Sequence, residues 1–211
     1  MSAISHHIPD HLIRAHAAGQ LPHHFAVVVA AHLSMCDACR AQAEAEEMVG
    51  GALLDRLAPA TLQDGARDRL LAALDSAPPP PPAPRRSGIF PAPVMQALDG
   101  QPPRWRMLGG GIRQQVLSAD EDGSLRLLYI PPGRAVPEHG HNGLELTLVL
   151  QGAFSDSEGR FGVGDVELAE DDLDHQPVAC PGAPCICLAA IDAPLRFTAF
   201  LPRLLQPLFR I

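Results

Sequence analysis

Apolar positions in the first part of the chain recur every three or four residues, and beyond about residue 93 they gather into short runs cut by turn residues. The first pattern predicts helices. "IPDHLIRAHAAG" places Leu12, Ile13 and His16 at helical spacing, with Asp10 as a cap and Gly19 as a stop. "PHHFAVVVAAHLSMC" opens on Pro22, a residue suited to a first helical turn. "DACRAQAEAEEMVGGALLDRLA" predicts a third helix with a break at Gly50-Gly51. "TLQDGARDRLLAALDSA" predicts a fourth, with Leu62, Ala66, Leu70 and Leu74 on one face. The second pattern predicts strands: "SLRLLYIPPG", "LELTLVLQG", "AFSDSEGRFGVGD", "VELAEDD", "CICLAAIDAP" and "LRFTAFLP". Turn signals every 8–12 residues or so indicate an antiparallel barrel or sandwich.

Between the patterns lies "PPPPPAP" at 78–84, a run that favours extended polyproline II and acts as a semi-rigid spacer. The expected organisation is therefore multidomain: an all-α unit at 1–77, a linker at 78–92 and an all-β barrel at 93–211. Apolar residues make up 46% and charged residues 19% of the 211 positions, the range of a folded globular chain. The net charge of −8 argues against direct DNA binding. No apolar run reaches the ~18 residues of a membrane span, and "MSAISHHIPD" lacks a secretory pattern. A cytoplasmic location is expected, where the five cysteines would be ligands, sensors or core residues before disulfides.

Histidine and cysteine are unevenly placed. Seven of the ten histidines lie at or before His32, with Cys36 and Cys39 just after; residues 40–138 hold neither type. His32, Cys36 and Cys39 form H-x3-C-x2-C. If the second helix runs through Cys36, His32 and Cys36 share one of its faces, with Cys39 a turn further on. Two thiolates and an imidazole suit tetrahedral zinc, which needs a fourth ligand; His6 or His7 can fold back to supply it. The alternative is a redox pair or two unrelated cysteines.

The second cluster, "GRAVPEHGHNGLELTLVLQG", reads G-x5-H-x-H-x3-E-x6-G from Gly133 to Gly152. His139 and His141 at i and i+2 of a strand face the same way. Glu145 returns a carboxylate past the "NG" turn, a donor set for zinc, iron, manganese or nickel. The spacing is that of the first cupin motif. The second motif is degenerate: after Gly164-Asp165, Asp171, Asp172 and Asp174 replace the usual Pro-x-Gly before His175, the remaining histidine for a fourth ligand. Cys185 and Cys187 share a strand face near that ligand, too close in sequence to pair well, and are candidate redox sensors or plain core residues.

"HHIPD" followed by "AAHLSMCDACRA" resembles the zinc-binding anti-sigma domain that inhibits group IV (extracytoplasmic function, ECF) sigma factors, over about residues 5–77. Carried over, that family's ligands fall on His7, His32, Cys36 and Cys39. Through "RWRMLGGGIRQ", "CICLAA" and "LRFTAFLPRLLQPLFRI" the resemblance extends to ChrR-type anti-sigma factors along nearly the whole chain. It implies a regulator rather than an enzyme, zinc in both sites, and a sigma factor wrapped by residues 1–77. It also implies release on an oxidative signal such as singlet oxygen or peroxides, by conformational change or through a protease. The competing readings are a cupin dioxygenase or isomerase and a zinc store.

Overall fold

The computed structural model describes residues 3–76, 84–140, 143–170, 174–193 and 196–197. Helix α1 spans Asp10–Ala17, α2 His23–Leu33, α3 Asp37–Leu54, α4 Ala66–Ser76 and α5 Ala92–Ala97. Pro9, not Asp10, occupies the N-cap of α1; Asp10 lies in the first turn, where its charge complements the helix dipole. Pro22 caps α2 with a backbone already extended. Helix α3 continues unbroken through Gly50 and Gly51, because neither glycine has a neighbour within 4 Å that forces a bend. The fourth helix begins only at Ala66, leaving Leu62 outside it, and α5 was not anticipated.

The rest is β-structure: β1 Arg106–Gly109, β2 Ile112–Asp120, β3 Gly123–Ile130, β4 His139–Gly140, β5 Glu145–Gln151, β6 Ala153–Ser155, β7 Arg160–Gly162, β8 Val166–Ala169, β9 Asp174–His175, β10 Val178–Ala179, β11 Cys185–Ile191 and β12 Arg196–Phe197. The main sheet is six-stranded and antiparallel, in the order β1-β2-β3-β11-β5-β8. Smaller sheets run β10-β6-β7 and β12-β4-β9. Most of "LRFTAFLP" lies outside the described residues, as do His141 and Asp171–Asp172.

Both faces of the central strands are buried, which explains why "CICLAAI" and "LTLVL" read as continuous apolar runs rather than alternating ones. On β11, Ile186, Leu188 and Ala190 join one core with Leu146, Leu148, Leu125 and Leu127. Cys185 and Cys187 turn the other way, into a second core with Val149, Phe154 and Phe161. The first core does not stop at the sheet. It is continuous with Phe25, Val28, Val29 and Ala31 of α2, with Leu12 and Ile13 of α1, and with Val94 and Met95 of α5. Helix α2 packs on β11, β5 and β3 on one side and against α1, α3 and α5 on others. The approach is close: at Gly123, with φ +145°, a Cβ would meet the Ile191 carbonyl oxygen and stand 2.7 Å from His24 Nε2.

This shared core makes a prediction. Leu188 is fully buried in the sheet face that meets α2. Leu188→Ala should cost about 2–5 kcal/mol through the cavity it leaves. In urea, far-UV helix signal and the fluorescence of Trp105 should then fall together at the lower midpoint. Helix signal lost in a separate, earlier transition would show that the two parts do not share their stability.

Candidate functional site

The N-terminal cluster assembles where α2 gives way to α3. Helix α2 ends at Leu33, so His32 and Cys36 do not share a continuous helix as the spacing suggested. The chain instead turns tightly, with Met35 N and Cys36 N both donating to the His32 carbonyl at 2.8 and 2.9 Å. Cys36 becomes the extended N-cap of α3, and Cys39 sits in that helix's first turn. The turn brings both sulfurs back under His32, at a helix N-terminus whose partial positive charge favours thiolates.

The fourth donor is His7, not its neighbour. His7 Nδ1 lies 3.3 Å from Cys36 Sγ and 3.4 Å from Cys39 Sγ. His6 is instead laid on the barrel, its ring 4.5 Å from that of Phe161. Donor atoms of His7, His32, Cys36 and Cys39 all lie within 4.8 Å of one another. Tetrahedral zinc with mixed sulfur and nitrogen ligands holds its donors about 3.3–3.8 Å apart, so the cluster is close to that size.

The imidazole orientation fits as well. His32 is fully buried, and its Nδ1 donates to the Gly164 carbonyl at 2.9 Å. That leaves the Nε2 lone pair facing the cluster, and this buried atom has no hydrogen-bond partner in the protein. Burial pulls the His32 pKa down to about 4, so the ring is neutral and able to ligate. Burial likewise pushes the Cys39 thiol up to about 11, while the Ile8 amide acts in the opposite sense. A cation reverses that cost, since metal binding deprotonates a thiol outright.

The second cluster lies inside the barrel. Strands β4 and β9 pair so that His139 stands directly opposite His175, with ring centroids 4.7 Å apart. His139 Nδ1 donates to the Pro137 carbonyl at 2.9 Å, which fixes the tautomer that aims Nε2 away from the backbone. Burial lowers the His139 pKa, against the charge of Glu145. Glu145, at the start of β5, accepts from Thr147 Oγ1 at 2.8 Å, and its charge also acts on His175. His139, Glu145 and His175 thus converge; His141 lies outside the described residues. Two imidazoles beside a carboxylate make a donor set for a divalent metal, whose binding would displace the proton from His175.

Two carboxylates that the sequence did not point to stand behind His175. Its Nδ1 donates to Asp156 Oδ2 at 2.8 Å and lies 3.4 Å from Glu167 Oε1. Burial disfavours a charge on His175, yet these carboxylates raise it to about 9. Burial pushes Glu167 up to about 8. Asp156 orients His175 as a ligand, a pairing that alternation on β8 and the turn after β6 would have hinted at only with the register known. Cys185 and Cys187 sit beneath as free thiols, sulfurs 3.4 Å apart and almost wholly buried. The Cys185 contact and burial push the Cys187 thiol well above its ordinary range, opposite to the lowered value a sensor thiol was expected to show.

Comparison with known proteins agrees with this layout. Residues 95–193 match the model of the ChrR cupin-like domain. The anti-sigma-E factor ChrR of Cereibacter sphaeroides is 53% identical over 211 residues, 99% of each chain. A crystal structure of Rhodobacter sphaeroides SigE in complex with the anti-sigma ChrR superposes with a TM-score of 0.81 at 48% identity. It covers 90% of this chain and 100% of the matched one.

The two clusters should load metal separately. Saturated with cobalt(II), the full chain should show sulfur-to-cobalt charge-transfer absorption that Cys39→Ser abolishes together with one metal equivalent. His139→Ala should remove a different equivalent and leave that absorption in place. One substitution emptying both sites would refute separate centres.

Proposed function

The chain belongs to the ChrR family of anti-sigma factors, and we propose that it holds a group IV sigma factor inactive through residues 1–77, linked by 78–92 to a sensing barrel at 93–211. The observation that carries this reading is an uncovered apolar surface. Met48, Val49, Leu53 and Leu54 line the distal half of α3, and Leu57, Leu62, Leu70, Leu71 and Leu74 follow, all between 45% and 76% exposed. Helix α4 contributes no buried residue among those described. An isolated helix of this length is marginal in water, and an apolar stripe of this extent marks a partner surface. The proximal half of α3 is the part tied down, by Cys39 and Ala43 in the core. The arrangement suits an arm anchored at the zinc site and free to wrap a partner.

Zinc at His7, His32, Cys36 and Cys39 would serve this function by holding α1, α2 and α3 together; it supplies cross-linking, not reactivity. The barrel would hold a second zinc at His139, His141, Glu145 and His175 and receive an oxidative signal, singlet oxygen or a peroxide, with Cys185 and Cys187 beside it. Release of the sigma factor follows if the signalled state binds it less tightly, whether or not a protease then removes the chain. The partner is a protein, not DNA or a membrane, and the site of action is the cytoplasm. No helix among the described residues is long and apolar enough to cross a membrane, and the charge of −8 repels phosphates. No substrate turnover is assigned to the barrel.

The test uses the full zinc-loaded chain co-expressed with a group IV sigma factor. The wild type should co-purify in equal amounts and suppress transcription in a reconstituted polymerase assay. Leu70→Asp with Leu74→Asp should weaken binding at least about 30-fold, a loss of roughly 2 kcal/mol, because two charges would be buried against an apolar partner. Helix content and metal load should not change. Equal binding by the double variant would remove α4 from the interface, and failure of the wild type to bind would remove the anti-sigma reading.

A further inference from the structure

We infer that the barrel turn at 162–166 is the outer shell of the N-terminal thiolate site, so that the barrel sets how tightly that site holds its metal; this rests on the zinc reading of His7, His32, Cys36 and Cys39. Both histidines of this site are braced by this turn as well as by the segments that carry them. The Gly164 carbonyl accepts from His32 Nδ1 at 2.9 Å, across the sheet–helix boundary. Such an acceptor locks the tautomer and orientation of a ligating imidazole and raises its basicity.

The other histidine is held through its chain. Asp165 accepts from Ser5 N at 2.7 Å and from His6 N at 2.9 Å on the same oxygen, while its second oxygen accepts from Gly162 N at 2.7 Å. His6 returns a bond, its carbonyl accepting from Val166 N at 3.1 Å. Residues 5 and 6 are thereby strapped to the start of β8, and His7 follows directly. Ile4 lies over Gly164, where a Cβ would stand 2.5 Å from Ile4 Cδ1, and the φ of +92° favours glycine there. Asp165 is 5% exposed, and although burial opposes its charge, the donors from Gly162, His6 and Ser5 keep it ionised. This segment precedes α1 and has no helix of its own, so His7 is held between the strap on one side and the buried Ile8 on the other.

The strap is continuous with the barrel's interior. Two residues beyond Asp165, on β8, Glu167 lies 3.4 Å from His175 Nδ1. A change of arrangement around His175 therefore bears on the strand that follows the bracing turn, and by linkage the coupling runs in both directions. Asp165 is a positioning residue: it acts through the chain that carries His7.

The experiment titrates full-length protein with cobalt(II) against a competing chelator and reads sulfur-to-cobalt charge transfer, which the barrel's nitrogen and oxygen donors do not produce. Asp165→Ala should lower cobalt affinity at the thiolate site about 10–100-fold, and Asp165→Asn, which keeps an acceptor oxygen, should fall between it and the wild type. Metal bound by the barrel should stay constant. Affinity within twofold of wild type for Asp165→Ala overturns the inference. Absence of the charge-transfer band in the wild type would instead defeat the zinc reading beneath it. If Asp165→Ala also loses barrel metal, the decision passes to Cys36→Ser in the full chain. Faster amide exchange at Ser5, His6 and Val166, with β5 and β11 unchanged, supports the outer shell; unchanged exchange there overturns it.

Discussion

Helix α2 is apolar around most of its circumference, and burying it requires cover on every side. Phe25, Val28, Val29, Ala31 and His32 are all within 3% of full burial, and the helix meets α1, α3 and α5 as well as the sheet face of β3, β5 and β11. A helix of this kind cannot stand at a surface. Its two-sided burial dictates that the helical unit and the barrel share a core, and that the end of α2, where His32 sits, is fixed from both. Gly123 follows from the same constraint, since only hydrogen in place of a side chain lets His24 come down on the β2–β3 hairpin.

Electrostatics divides the two metal-capable clusters by role. At the N-terminal one, burial removes charge: His32 is driven neutral and Cys39 holds its proton. A divalent cation is the natural resolution of two buried sulfurs and an imidazole lone pair with no protein partner. In the barrel, carboxylates already accompany the histidines, and His175 carries a pair of them on its far side. The N-terminal cluster instead draws together the segment before α1, the end of α2 and the start of α3, next to a distal α3 and α4 whose leucines are exposed.

Much of the chemistry was legible in one dimension because ligands closely spaced along the chain need little help from the fold. H-x3-C-x2-C keeps three potential donors close along the chain whatever lies beyond, and H-x-H-x3-E does the same. What escaped the sequence reading was set by distant contacts. Helix α5 is six residues long, below the length at which periodicity speaks, and survives by placing Val94 and Met95 against α2. Strand β2, "IRQQVLSAD", alternates poorly because a bulge near Leu117 shifts its register against β3. Continuity of α3 through two glycines went unforeseen because each glycine costs a helix only about 1 kcal/mol relative to alanine, too little to break it.

By itself the sequence determined the helical and β halves, the residues able to bind metal in each, and the resemblance that led to the family. It could not choose between His6 and His7, because adjacent residues differ only in the direction the backbone sends them. That direction comes from Asp165, more than 150 positions away, whose carboxylate fixes the amides of Ser5 and His6 so that one ring lies on Phe161 and the next reaches the cysteines. Nor could it place Asp156 and Glu167 behind His175, or join α2 to the sheet. Such pairings depend on strand register and on closure of long loops, which cost entropy that only the completed core repays. Local spacing decided which atoms can bind a metal; tertiary burial decided which of them face it and what holds them there.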